Sequence, residues 1–195
     1  MSAASAAVLP ASTALLDIVE RALHTGRGEW MFLRELRVGT GRGSGQLQRV
    51  DAFALNTLPY TGMKRVCYEV KCSRADFLTE LKQPLKRRIG MRYSNEFYFL
   101  TPPRLLKAAE VPSECGLLEA GTADPEPARE LLKGHAGFFY YDPDRREFCV
   151  LRIPAPWRDT PGPTWQLLAA MLRHQRRELE ERPPTAPAQQ KLELG

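Results

Sequence analysis

The stretch from Val66 to Phe77, VCYEVKCSRADF, changes its period partway through. Up to Lys71 it reads as a β-strand, in which residues i and i+2 share a face; Glu69 and Lys71 therefore sit side by side and Val70 points the other way. Ser73 and Asp76 then form an S-x-x-D capping box, so a helix is expected directly after the strand. A strand feeding straight into a capped helix is a building block of α/β layers, and the remaining elements have to be arranged around it.

Before this block, TALLDIVERALHT reads as a helix capped by Ser12 or Thr13, with Leu15, Ile18, Val19 and Leu23 on one face. EWMFLRELRVG, QRVDAFALNT and RVCYEVKCS read as three strands joined by turns, an antiparallel meander. After Ser73, Phe77, Leu81, Leu85 and Ile89 repeat every four residues and are expected to face the core, while Pro84 must kink the helix or begin a second one. NEFYFLTP and CGLLEA read as strands, and GHAGFFYYDPDRREFCVLRIP as two strands around a DPDR turn. The order αβββαβ, with more strands following, points to an α/β fold around a mixed sheet. The segmentation is a disordered N-terminus at 1–12, a domain at 13–153, a Pro-rich linker at 154–163, a C-terminal helix at 164–182 and a disordered tail at 183–195. On the last helix, Trp165, Leu168, Ala169 and Leu172 form an apolar stripe, expected either to lie on the sheet or to meet a second copy or a protein partner.

Composition excludes several classes. The 195 residues, 43% apolar and 26% charged, suit one soluble domain. No apolar run approaches the ~20 residues needed to span a bilayer. MSAASAAVLPAS has neither a basic start nor an apolar stretch of signal-peptide kind, so a cytoplasmic protein without a membrane partner is expected. Cys67, Cys72, Cys115 and Cys149 show no metal-ligand spacing and are expected to be reduced. His24, His135 and His174 have no partner at ligand spacing, and Phe138–Asp142 is expected to pack in the sheet rather than stack on bases. The Gly39–Gly45 stretch lacks the Gly-Lys-Ser/Thr of a phosphate loop and reads as a flexible connection. Net charge is +5, concentrated in Lys82, Lys86, Arg87, Arg88 and Arg92 with no acid between them. Such a run fits phosphate-backbone contact, with Arg74 as a further candidate; it also fits a solvated helix face.

Asp51, in RVDAFAL, supplies a second carboxylate on the strand preceding Glu69. If those strands pair, Asp51, Glu69 and Lys71 converge at one sheet edge. Two close carboxylates stay ionised together only around a cation, and hard oxygen ligands suit Mg²⁺ or Mn²⁺. A neighbouring lysine can orient a metal-bound water or offset charge building on phosphorus. The D…E-x-K layout is thus one for metal-assisted phosphodiester hydrolysis, although a Glu/Lys pair on a strand face is also a common surface ion pair.

RVDAFAL followed by YEVKCSRADF resembles the PD-(D/E)XK nuclease superfamily, nearest to the MmcB-type DNA repair proteins and similar phage and bacterial nuclease-like proteins. ELKQPLKRR, NEFYFLTPP and VPSECGLLEA support the resemblance, which spans roughly residues 30–120. It implies a restriction-endonuclease-like core within 13–153, metal binding by Asp51, Glu69 and the Val70 carbonyl, and Lys71 as the catalytic lysine. Many members add an upstream acid, for which Glu35 and Glu20 are the candidates. The implied activity is a Mg²⁺- or Mn²⁺-dependent endonuclease in DNA repair or in phage or mobile-element DNA processing, with RNA a further substrate to test. The alternative is a module that keeps the nuclease fold and binds nucleic acid without cutting it.

Overall fold

The computed structural model describes residues 12–26, 28–39, 47–124 and 137–181. The Gly-rich connection, the chain's first residues and its tail lie outside these ranges, except that Ser12 already belongs to the first helix and Gly39 to the first strand.

The elements are α1 (Ser12–Leu23), β1 (Trp30–Gly39), β2 (Leu47–Asn56), β3 (Arg65–Val70), α2 (Arg74–Leu81), α3 (Arg88–Tyr93), β4 (Glu96–Thr101), β5 (Gly116–Thr122), β6 (Phe139–Asp142), β7 (Glu147–Ile153) and α4 (Trp165–Glu181). The strands form one mixed seven-stranded sheet in the order β1-β2-β3-β4-β5-β7-β6. The meander β1-β2-β3 is antiparallel as expected. The helical excursion after β3 returns the chain parallel, so β3, β4 and β5 run together in the middle of the sheet. β7 pairs antiparallel with β5 and with β6.

Alternation along the central strands divides two cores. Cys67, Phe97, Phe99 and Leu117 face α2, α3 and α4; Val66, Tyr68, Val70, Tyr98, Leu100 and Leu118 face α1. These strands are covered on both sides, which is why they carry near-continuous apolar runs. Phe77 of α2 meets Phe99 edge-on at 5.1 Å, and Phe99 meets Phe97 in the same way at 5.7 Å, fixing α2 against the sheet. Gly90 lets α3 approach closely, because a Cβ there would stand 2.7 Å from the Cys67 sulfur. Cys67, Cys115 and Cys149 are buried, and none of the four cysteines forms a disulfide. His24 is buried against Trp30 and shares a 2.8 Å hydrogen bond with the Tyr68 hydroxyl. Among the described residues no helix is long and apolar enough to cross a membrane.

One expectation changes and two gain detail. Leu85 is exposed rather than in the core. Pro84 stops the helix and opens a single 3-10 turn, Pro84–Arg87, which breaks the four-residue repeat and swings Leu85 outward. On α4 the buried residues are Leu167, Ala170 and Met171, whereas Trp165 and Leu172 stand in solvent. This Leu/Ala-rich helix carries more than one apolar stripe, and the angle at which the chain delivers it to β1 selects among them. The Pro-rich segment is not a free tether. The Arg158 N–H donates to the Asn95 carbonyl at 2.9 Å, the Asn95 side chain donates back to the Arg158 carbonyl at 2.9 Å, and Arg65 donates to the Thr160 hydroxyl at 2.7 Å. These contacts strap the segment across the starting ends of β3 and β4.

Gly116, at the start of β5, lies under this strap, and a Cβ there would come 2.7 Å from the backbone nitrogen of Ala155 and collide with the Tyr98 ring. Gly116→Ala is expected to destabilise the fold by about 1–3 kcal/mol, read as a lower urea midpoint with an unchanged slope; an unchanged midpoint would show that the strap is loose.

Candidate active site

The site forms where the sheet comes apart. The β2–β3 ladder ends at the pair Ala52 and Tyr68, one step short of Asp51 and Glu69. The β1–β2 ladder skips its own step at Glu35 and Asp51, and Glu35 takes a left-handed φ of 52°. The alternation of faces switches there: Leu33 and Leu36, three apart, enter the same core, and so do Val50 and Phe53. Beyond the parting the Val70 N–H has no strand partner and donates instead to Asp51 Oδ2 at 2.8 Å. A side chain thus replaces a missing ladder bond, and the Asp51 carboxylate is tied beside Glu69.

Lys71 follows at the end of β3. Its side chain is only 5% exposed, and its Nζ donates to Glu69 Oε1 at 2.9 Å. The same Nζ lies 3.6 Å from Asp76 and 3.7 Å from Glu80, both on α2. Ser73 caps that helix as its spacing foretold, accepting a hydrogen bond from the Asp76 N–H at 3.2 Å. The resulting cleft, of about 540 Å³, is lined among others by Asp51, Glu69, Lys71, Asp76, Glu80 and Lys86. Ser12 at the start of α1 also lines it, so the positive end of that helix dipole borders the cleft.

Burial, reinforced by the Asp51 charge, pushes the Glu69 carboxyl up to about 7 against the pull of Lys71. Burial of Lys71 opposes its charge, but Glu69, Glu80 and Asp76 outweigh this and raise its pKa, so the ammonium persists. The cleft therefore gathers four carboxyl groups, Asp51, Glu69, Asp76 and Glu80, with Lys71 the buried cation and Arg49 and Lys86 also in its lining. Val70 N–H and Lys71 each occupy one oxygen of the Asp51 and Glu69 carboxylates. The Asp51 oxygen left over lies 4.0 Å from the Arg49 guanidinium. Among the described residues no three His, Cys, Asp or Glu side chains already form an ion cage. A Mg²⁺ ion, which keeps several waters and takes one or two carboxylates, fits the pair Asp51 and Glu69 by donor type, each having one oxygen outside the hydrogen bonds to Val70 and Lys71.

The other expected residues divide. Glu35 is exposed on edge strand β1 and reaches Asp51 only through Arg49, which donates to it at 3.4 Å. Glu20 is engaged by Arg34, which also binds Asp17, and is not brought into the cleft. Arg74 is tied to Glu110. Lys82, Lys86, Arg88 and Arg92 are exposed, and of these Lys86 lines the cleft. Arg87 is 6% exposed, with its guanidinium 5.8 Å above the Phe99 ring and 3.8 Å from Glu114. It braces the segment between α2 and α3 and is not available to a phosphate. Glu80 and Arg49 escaped the sequence reading. The signal for Glu80 was its place four residues after Asp76, on the same face of the capped helix.

The pH dependence has a definite sign. Between pH 4.5 and about 7 the folded protein keeps a proton on Glu69 that the unfolded chain has released, so this support is present at low pH and lost as pH rises through about 7. His24 works the other way: its folded pKa is lowered from 6.5 to about 4 by burial and then Lys64, so its contribution is lost as pH falls through that window. In EDTA, Glu69→Gln is expected to gain about 1–3 kcal/mol on the wild type as pH rises across the Glu69 window, measured by urea unfolding. A difference independent of pH would show that Glu69 does not titrate in this range.

No family model and no curated protein matches the chain. Among solved structures it is similar to "SPO1766 protein of unknown function from Silicibacter pomeroyi", with a TM-score of 0.54 and 20% identity, covering 89% of this chain and 92% of that one. At that identity the likeness shows the fold alone: an α/β chain whose mixed seven-stranded sheet is flanked by helices.

Proposed function

We propose that the chain is a metal-dependent DNA endonuclease with a restriction-endonuclease-like core of the PD-(D/E)XK kind. The observation that carries this reading is the convergence of Asp51 from β2 with Glu69 at the end of β3 and Lys71 just after it, at the point where the two strands part and α2 begins. The resemblance of YEVKCSRADF to that superfamily supports it from the sequence.

In this reading Asp51 and Glu69 hold a divalent cation, Mg²⁺ or Mn²⁺, with the Val70 carbonyl as a further oxygen. The cation, when bound, supplies Lewis-acid polarisation and a water of lowered pKa. The protein's own groups do the rest. The Val70 N–H fixes the Asp51 carboxylate. The buried Lys71 ammonium stands beside Glu69, where it can orient the attacking water and offset the negative charge growing on phosphorus. Hydrolysis adds the water oxygen to phosphorus and breaks the bond to one bridging oxygen, which leaves with a proton. Lys86 and the positive end of α1 favour the phosphodiester backbone at the cleft. Exposed Lys82, Arg88 and Arg92 extend that attraction along the surface. Contacts of this kind carry no base information, so selectivity for strand structure rather than sequence is expected. With the resemblance in support, the reading assigns such an enzyme to DNA repair or to phage or mobile-element DNA processing.

The test is cleavage of labelled single-stranded, duplex, flapped and branched DNA, with RNA alongside, in Mg²⁺, Mn²⁺ or EDTA. Cutting is expected only with metal, and Lys71→Ala is expected to slow it about a hundredfold or more while remaining folded by circular dichroism. Binding without cutting in either metal would overturn the enzyme and favour a nucleic-acid-binding module on the same fold.

A further inference from the structure

Glu80 is the feature of the cleft that the proposed chemistry does not use. It is 4% exposed, its Oε2 lies 3.7 Å from Lys71 Nζ, and its Oε1 is buried without a hydrogen-bond partner among the described residues. A buried carboxylate oxygen left unpaired is expensive and demands a reason. Packing offers no relief, because α2 is pinned by the Ser73 cap and by Phe77 against Phe99, so Glu80 is held at the cleft.

We propose that Glu80 is a positioning residue that gives the Lys71 ammonium a second seat, so that Glu69 can be released to a cation without the lysine leaving the cleft. This rests on the metal-dependent reading above and extends it. An ammonium has three donors. One is now spent on Glu69 Oε1 at 2.9 Å, while Asp76 and Glu80 stand at 3.6 and 3.7 Å, just beyond hydrogen-bond reach. Lys71 is thus poised between anions. Asp76 has a side chain 57% exposed, and solvent screens its pull; Glu80, with a side chain 5% exposed, is screened far less. When Glu69 turns to a cation, Glu80 is the buried anion that holds Lys71 against the repulsion of the new positive charge. Without it the ammonium stays on Glu69 and competes for that carboxylate.

The competition can be measured without catalysis, by isothermal titration of Mn²⁺ into the wild type, Glu80→Gln, Lys71→Ala and the double variant. Glu80→Gln is expected to bind Mn²⁺ about 10- to 100-fold more weakly, whereas in the Lys71→Ala background the same change is expected to have little effect. Glu80→Asp, which keeps the charge, is expected to recover most of the affinity and serves if the Gln variant melts early. Unchanged affinity in Glu80→Gln would overturn the inference. So would an equal loss with and without Lys71, which would make Glu80 act on the cation directly. A wild type that binds no Mn²⁺ removes the cation reading of the cleft and this inference with it. Normal Mn²⁺ binding with the expected coupling but no DNA cleavage would remove only the nuclease and leave the role of Glu80 standing.

Discussion

The hydrogen bond from the Val70 N–H to Asp51 is the contact on which the cleft depends. Had β2 and β3 stayed paired for one more step, the sheet would have satisfied Val70 itself and left the Asp51 side chain unbound beside Glu69. Instead the strands separate after Ala52 and Tyr68, and a carboxylate takes over a backbone donor. A charged acceptor on an amide is stronger than a neutral pair, so the parting is stabilised and one Asp51 oxygen is immobilised. A second irregularity meets it at Asp51 from the strand further out. At Glu35 the backbone turns left-handed and the β1–β2 ladder skips the step that would pair Glu35 with Asp51.

The charges of the cleft contrast with the ion pairs elsewhere in the molecule. Glu119 is just as buried, yet both of its oxygens are engaged: the Arg104 N–H donates to one at 2.9 Å and Arg152 to the other at 2.6 Å. That pair is closed and structural. In the cleft Glu69, Asp76 and Glu80 stand around the Lys71 ammonium, and burial together with the neighbouring Asp51 charge raises the Glu69 carboxyl to about 7. A raised carboxyl pKa is one way such crowding is relieved. The aromatic contacts of Phe77, Phe99 and Phe97 behind it supply the rigidity that keeps α2 and its two acids in place.

Local signals were read well wherever one stretch of chain decides the outcome. Alternation marked β3, the S-x-x-D box marked the start of α2, and the DPDR turn separated β6 from β7. Asp51, Glu69 and Lys71 were legible because strand pairing converts sequence position into proximity by a simple rule. Signals that depend on a distant partner were misread or missed. Leu85 kept the helical repeat on paper, but Pro84 reset the geometry; Arg87 looked like its exposed neighbours but turned inward over Phe99. The hydrogen bonds that the Pro-rich segment at 154–163 makes to Asn95 and Arg65 gave no local signal.

The amino-acid sequence by itself determined the order of elements, the mixed α/β character and the D…E-x-K set, since each follows from periodicity, capping and the two faces of a strand. Tertiary structure alone decided where β2 parts from β3, which stripe of α4 meets β1, and that Glu80 is buried beside Lys71 with an oxygen unpaired among the described residues. Those outcomes turn on angles between elements far apart in the chain. Such angles are set by packing density and by the need to satisfy every buried donor and acceptor, quantities that exist only once the sheet and its helices are assembled.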